Sequence, residues 1–412
     1  MKKLLGTFAL VFLLTVSQIQ PSNSAINGTP AAEGLAVKVY SSLGSCTGAV
    51  WQNTIVVTAA HCVLSKAGVL ATGINVRTFG VGSTSYSDVA GVKIPKEFIS
   101  DAINVYGQTS YGDIAFLILK NKLWNNPFFP TLRIATATDW ESYRSTPTWL
   151  EIISYGSTSE AVEDSSPTTP ISSMHYTNTV LSSGSKDWGV VNSNKSAICN
   201  GDSGAPVIYF RQAENAVVLV GVVTNATGMT GKCGVFQFGV STTTFTKLSS
   251  YQGLTASTLN TESKYRSGAA ILERAKIGLV DYENNVSDLN NFVNQLPDST
   301  RKRLFDNSKN VANLNKSIRD YGLAISSQEE VLNKSMDFIF INSGILEANT
   351  PEVSSKIEQS LTPYEEKIQL LLTSISKSLP SAVCTRNAQV RNLLSSKKCA
   401  KGFIKTELFK PF

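Results

Sequence analysis

One serine, Ser203, stands in the stretch AICNGDSGAP (residues 197–206), flanked by Asp202 and Gly204, with Gly201 and Cys199 just upstream. A serine hydroxyl is a weak nucleophile at neutral pH. It needs a base to take its proton and donors to hold the oxyanion its attack creates. Glycines let the backbone turn sharply enough to aim N–H groups at a substrate, although GDSG alone also reads as an ordinary polar turn. The chain has two histidines to offer as the base. His61, in VVTAAHC, ends a strand-like apolar run, and Cys62 beside it can close a short loop to Cys46 and fix the turn. His175, in SSMHYTN, reads as a solvated loop residue, with the lining of a substrate pocket as the lesser role. A carboxylate to orient the imidazole belongs at the edge of an apolar element. Asp113 in YGDIAFLIL fits, whereas Asp88 and Asp101 lack such a strand and read as loop acids. His61, Asp113 and Ser203 together make a base, its orienter and a nucleophile for acyl transfer at a carbonyl.

These residues need a rigid frame. The chain has 412 residues, enough for two or three domains. Through residue 252, runs such as TIVVTAA, DIAFLIL, APVIYF and AVVLVGVVT between turn residues predict many short strands, in a sandwich or barrel. Residues 253–262, GLTASTLNTE, read as a polar linker. Beyond it the period changes: Leu304, Val311, Ile318, Ile325, Leu332 and Ile339 recur every seventh residue. A second seam runs Ile357, Leu361, Tyr364, Ile368, Leu371, Ile375, and Val286, Leu289, Val293 and Leu296 suggest another. Thr350-Pro351-Glu352 reads as a helix start, and Pro363 must kink the later helix or begin a new one. Residues 263–380 are therefore expected to form an antiparallel helical hairpin or small bundle.

The ends of the chain bear on its surroundings. Residues 1–24 have a basic start, the apolar run Leu4 to Val16 and small polar residues, the layout of a secretory signal peptide; the run is shorter than the roughly 20 residues that span a bilayer. An exported chain meets an oxidising compartment, and the six cysteines fall into the couples Cys46 with Cys62, Cys199 with Cys233, and Cys384 with Cys399. No CxxC spacing occurs, so neither a metal nor another cofactor is expected. Of the net charge of +6, most sits in residues 381–412, where Arg386, Arg391, Lys397, Lys398, Lys401, Lys405 and Lys410 face Glu407 alone. That tail suits an anionic envelope polymer or lipid surface; no nucleic-acid partner is expected. A secreted protein, with cell-surface association through the tail, is the expected location.

TAAHC, DIAFLIL and CNGDSGAP, in this order, resemble the three catalytic blocks of the trypsin and chymotrypsin family of serine endopeptidases. The resemblance covers about residues 25–252 and stops short of the helical half. It implies a chymotrypsin-like double antiparallel β-barrel with the site between the barrels, His61 and Asp113 on the first and Ser203 on the second. It further implies that the N–H groups of Gly201 and Ser203 form the oxyanion hole, that Cys199 pairs with Cys233 across the specificity pocket, and that Asp202 receives a freed N-terminal amine. A signal-peptidase cut after Ser24 would free Ala25 for that role, with Ile26 as plug and Gly28 closing the turn. The expected activity is hydrolysis of peptide bonds in protein or peptide substrates.

The chain also departs from the family pattern. Thr224-Asn225-Ala226 stands where one pocket wall usually carries Ser-Trp-Gly, leaving Thr224 to bond toward Asp113 and Ala226 to narrow the pocket. Ala197 at the pocket floor lacks the charge that would select Arg or Lys. With Gly234 on the opposite wall, a small or medium apolar side chain is the expected guest. The rival reading is a catalytically weak, protease-like binding or adhesion protein that acts mainly through its helical domain; such proteins usually lack a triad member or the oxyanion glycine, and this chain has both.

Overall fold

Short apolar runs separated by turn residues become strands along the first half of the chain, and the heptad seams become helices along the second. The computed structural model describes residues 29–30, 34–79, 85–98, 112–124, 132–145, 148–156, 171–177, 187–193, 196–211, 216–227, 241–294, 296, 298–302, 309–336, 339–341, 353–379, 382–386, 389–393 and 404–407. The expected signal segment 1–24, residues 25–28, Asp101, Cys233, Gly234, Leu304, the start at Thr350 and Cys399 lie outside the described residues.

In chain order the strands of the first half are β1 (Thr29–Pro30), β2 (Ala36–Ser41), β3 (Gly44–Gln52), β4 (Ile55–Thr58), β5 (Asn75–Arg77), β6 (Tyr86–Pro95), β7 (Ala115–Leu119) and β8 (Arg133–Ile134). After helix α1 (Ala137–Ser145) come β9 (Trp149–Ser154), β10 (Ile171–Thr177), β11 (Trp188–Ser193), β12 (Pro206–Arg211), β13 (Ala216–Thr227) and β14 (Ser241–Lys247). The ladder β6-β5-β2-β3-β4-β7 closes on itself where β6 also pairs with β7. A second ladder, β10-β11-β14-β13-β12-β9, curls round until β10 meets β9. All these pairs are antiparallel. The double barrel expected from the resemblance is therefore the observed architecture. Asp88, read as a loop acid, lies in β6, where its carboxylate accepts the Tyr86 hydroxyl.

Strand β7 shows why its sequence, AFLIL, is apolar without alternation. Ala115, Leu117 and Leu119 belong to the first barrel's interior, Phe116 to the cluster between the barrels, and Ile118 to the core of the helical half. Every residue of the strand is buried because its outer face is divided between two neighbours.

Helices α2 (Gln252–Asn294), α4 (Lys309–Met336) and α5 (Val353–Ser378) are long, with the single turn α3 (Asp298–Arg301) between the first two. Lys276 pairs with Glu329, and Gly322 faces Leu279, so α4 runs back along α2. Asn310 reaches Ser374 and Tyr321 reaches Glu365, so α5 reverses again. Leu314, Ile318, Tyr321, Ile325 and Leu332 of α4 meet Ile357, Leu361, Ile368 and Ile375 of α5 in one core. Pro363 lies inside α5, which runs on through it.

Two expectations are corrected. Residues 253–262 are not a linker but the first turns of α2, where Leu254, Thr258, Thr261 and Tyr265 are buried. Hydroxyls stand at three of these four positions, so the helical period carries little hydrophobicity to read. The seam does not extend to Ile339: α4 stops at Met336, and Ile339–Ile341 form β15, parallel to Lys93-Ile94-Pro95 of β6. The helix ends because it meets the barrel wall, where a Cβ on Gly91 would stand 3.0 Å from the Met336 carbonyl oxygen. In the tail, β16 (Ala382–Arg386), β17 (Gln389–Leu393) and β18 (Ile404–Glu407) form a small antiparallel sheet with β16 in the middle. Among the described residues no helix is long and apolar enough to cross a membrane.

Candidate active site

His61 leaves the barrel at the end of β4. Ala59 is extended, and residues Ala60–Cys62 form a single 3-10 turn. A disulfide between Cys62 and Cys46 of β3 clamps that turn to the barrel. The sulfurs lie within 4.8 Å of a His61 ring nitrogen, but in the disulfide they offer no thiolate to a metal. Strand β7 pairs with β4, Ala115 opposite Thr58, so Asp113 arrives beside the turn. Its Oδ1 accepts the His61 backbone N–H at 3.0 Å, and its Oδ2 lies 2.7 Å from His61 Nδ1. With Asp113 accepting, Nδ1 carries the proton and Nε2 is the basic edge. The Asp113 side chain is 6% accessible and the His61 side chain 42%, so the pair is dry on one side and open on the other. Burial pulls the imidazole pKa down, but the Asp113 charge and hydrogen bond outweigh it and leave it above the ordinary value.

The second barrel holds Asp113 in turn. Thr246 on β14 donates its hydroxyl to the Asp113 carbonyl at 3.1 Å. Gly112, in the left-handed region at φ 73°, packs against the buried Tyr251 at the foot of α2, where a Cβ on the glycine would stand 3.4 Å from the Tyr251 hydroxyl.

Ser203 lies in the connection from β11 to β12, on the second barrel. Gly201 (φ 90°) and Gly204 (φ 80°) adopt backbone that other residues avoid. The turn is pressed into the first barrel: a Cβ on Gly204 would collide with Thr58 Oγ1, the Thr47 carbonyl and Ala59 N, all on the approach to His61. The Ser203 carbonyl oxygen accepts Thr47 N–H at 2.9 Å and stands 3.8 Å from Cys62 Sγ, next to His61. The structure thus brings His61, Asp113 and the Ser203 turn to one seam between the barrels.

Asp202 is wholly buried. Its Oδ1 accepts Gly156 N–H at 2.9 Å and its Oδ2 accepts Cys199 N–H at 2.5 Å. Burial pushes its carboxyl pKa up to about 7, while these N–H groups and the Ser154 hydroxyl work in the opposite direction. Position 156 must be glycine for this packing, since a Cβ there would overlap the carboxylate. The amine expected to pair with Asp202 lies outside the described residues.

Of the expected pocket residues, Ala197 is fully buried beside a group of hydroxyls: Ser241 donates to the Ser196 carbonyl at 2.6 Å, and Ser193 and Ser196 Oγ atoms are 3.0 Å apart. Ala226 is paired with the buried Thr243 of β14. Cys199 is disulfide-bonded, its partner lying outside the described residues. Two expectations fail. Thr224 does not bond toward Asp113; a bulge between Val223 and Asn225 turns it aside, and its hydroxyl donates to the Thr244 carbonyl at 3.2 Å. His175 is no solvated loop residue: it sits on β10 opposite Leu150 of β9, is fully buried, and has its pKa pulled down to about 3 by that burial. The hydroxyl-rich residues around it concealed a strand that pairs on both edges.

Thr47, Thr58, Thr246 and Tyr251 escaped the sequence reading. Only Thr47 had a legible signal, its adjacency to a cysteine bonded beside His61. No curated protein sequence matches the chain. Comparison with protein families matches Trypsin over residues 25–248, more than half of the chain and all of the double barrel. The order of the blocks, the paired barrels and this match agree: the chain belongs to the trypsin family of serine endopeptidases, whose substrates are proteins and peptides.

Proposed function

We propose that His61, Asp113 and Ser203 act as the catalytic triad of a secreted endopeptidase. The observation that carries this reading is the two-point grip of Asp113 on His61 beside the Ser203 turn. Ser203 Oγ attacks the scissile carbonyl carbon while His61 Nε2 takes its proton. The carbonyl oxygen, now negative, is held by the N–H groups of Gly201 and Ser203, each worth ~3 kcal/mol if removed. His61 then protonates the leaving amine, the C–N bond breaks, and an ester to Ser203 remains. Water, deprotonated by His61, hydrolyses that ester and restores the hydroxyl. Asp113 stays ionised throughout and stabilises the imidazolium.

Substrates with a small or medium apolar residue before the scissile bond fit a pocket floored by the buried, uncharged Ala197 and narrowed by Ala226. An arginine there would be buried without a counter-charge. The N-terminal pattern of residues 1–24 supports export, and the basic residues of 381–412 support retention at an anionic surface. The test is a fluorophosphonate probe with peptide mapping, run beside a peptide series on the wild type and Ser203→Ala. Labelling at Ser203, hydrolysis after Ala, Val or Leu, and loss of both in the variant are expected. Labelling elsewhere, or preference for Arg, overturns the triad or the pocket respectively.

A further inference from the structure

Thr47 is fully buried on β3 of the first barrel, and all of its polar atoms are engaged across the seam between barrels or beside it. Its N–H donates to the Ser203 carbonyl at 2.9 Å. Its hydroxyl donates to the Gly201 carbonyl at 2.8 Å and accepts the Tyr155 N–H at 3.0 Å. Its carbonyl accepts the Thr58 hydroxyl at 2.8 Å, on the strand that leads to His61.

These bonds act on the peptide planes around Ser203. In a trans peptide the C=O and the following N–H point in opposite directions, so fixing one fixes the other. The Gly201–Asp202 plane is held at its carbonyl by the Thr47 hydroxyl and at its N–H by the Cys199 carbonyl, 3.1 Å away. The Asp202–Ser203 plane is held at its carbonyl by Ala205 N–H at 2.9 Å, which aims the Ser203 N–H away from Ala205. The Ser203–Gly204 plane is held at its carbonyl by Thr47 N–H and at its N–H by the Val223 carbonyl, 2.7 Å away. Thr47 is thus a partner in two of three consecutive planes, and its hydroxyl is the side-chain bond among these restraints.

The geometry points to Thr47 as a positioning residue for the reaction: its hydroxyl locks the Gly201 carbonyl so that the turn presents the Gly201 and Ser203 N–H groups in the arrangement the oxyanion needs. Without that hydroxyl, Gly201, free to rotate at φ 90° as only glycine is, can turn its peptide over to satisfy the carbonyl elsewhere. The donors would then be out of place before substrate arrives, a cost that falls on the transition state rather than on substrate binding. This inference rests on Ser203 being the nucleophile.

The test compares Thr47→Ala with Thr47→Ser in the full chain, two variants that lose the same methyl group and differ only in the hydroxyl. Relative to the Ser variant, the Ala variant should show kcat lower by ~10- to 100-fold with KM changed less than about threefold. Its affinity for a peptidyl boronic acid, which mimics the tetrahedral state, should fall by the same factor as kcat/KM. A role confined to stability would lower the midpoint of unfolding without that split. Thr47→Val, which keeps the volume, serves if the Ala variant does not fold. Fluorophosphonate labelling separates this inference from the one beneath it. A wild type that is not labelled at Ser203 refutes the triad. A wild type that is labelled, with Ala and Ser variants reacting equally fast, refutes the role of Thr47 alone.

Discussion

Arg266 is one of the residues that fasten the helical bundle to the first barrel, beside Ile118 in the bundle core and the Met336–Gly91 contact. It lies on α2 over the end of β7. Its Nη1 donates to the Lys120 carbonyl at 2.7 Å, its Nη2 to the Leu119 carbonyl, and its Nε to Glu262 at 2.9 Å. Glu262 in turn accepts the Thr54 hydroxyl at 2.8 Å, just before β4. The Arg266 side chain keeps 27% of its accessibility and Glu262 keeps 14%. A hydrogen bond from a charged donor contributes ~1.5–3 kcal/mol when dry. Two such bonds reach strand carbonyls, and both partial exposure and the entropy of fixing a long side chain reduce their sum. Arg266→Ala should therefore destabilise the protein by about 2–3 kcal/mol, and Arg266→Lys should recover less than half, since an ammonium cannot replace a planar fork that spans two carbonyls and a carboxylate. The assay is denaturant unfolding followed by far-UV circular dichroism, with peptidase activity measured below the transition. Activity there should match the wild type, because Asp113 lies at the other end of β7, roughly 20 Å away along the strand. A loss under ~0.5 kcal/mol, the scale of an ordinary surface change, would refute the idea that this fork anchors the bundle.

The remaining predictions concern titration and the chain ends. Because Asp113 holds the His61 pKa above its ordinary value of 6.5 and the base must be neutral, the acid limb of kcat/KM should lie above pH 6.5; Asp113→Asn should lower kcat by about 10⁴-fold, and a limb at or below pH 6.5 in the wild type counts against the pairing. An enzyme carrying extra residues ahead of Ala25 should be poorly active, since Asp202 then lacks its amine. With a carboxyl pKa of about 7 against 3.8 unfolded, the folded state of that form holds the extra proton between those values, so its stability should fall as pH rises from about 4 to 7, by at most about 4 kcal/mol, while the form beginning at Ala25 should show no such fall. Full activity of the extended form refutes the role of the amine. Retention on anionic vesicles should weaken as salt rises and should be lost on truncation after Pro380; equal retention of the truncated chain excludes the tail as the contact.

What the sequence made legible follows from what kind of interaction each residue makes. The nucleophile turn, the histidine turn and β7 could be read because their function requires particular residue types in short, contiguous stretches. The seams of α4 and α5 could be read because their cores are aliphatic at helical spacing. The first turns of α2 could not, because they bury Ser257, Thr258 and Thr261, hydroxyl residues that dilute the apolar period; the Thr258 hydroxyl donates to the Leu254 carbonyl at 2.8 Å. His175 was hidden in the same way, among hydroxyl residues that carry a strand only because both edges are paired. The bonds of Thr47 and Thr246 were hidden for a further reason: each acts on a backbone carbonyl of the other barrel, at separations of 154 and 133 residues, so Cys46 could mark the neighbourhood of Thr47 but not its partner.

That dependence on distant contacts bears on what the helical half does for catalysis. Strand β7 follows directly from Asp113 and belongs to three cores at once, with Ile118 turned into the bundle and Leu117 into the barrel. Tyr251, where α2 begins, packs against Gly112 on the other side of Asp113. The orienting carboxylate is therefore held between two supports: a strand whose outer face the bundle covers, and a tyrosine at the root of the bundle's first helix. A carboxylate that must keep both oxygens on His61 tolerates little movement, since a shift of about 1 Å can cost ~100-fold in rate. The bundle is thus packed against β6 and β7, the strand that follows Asp113 among them, while the Ser203 turn is held by β3. Any further role of the helical surface falls to the faces that point away from β6 and β7.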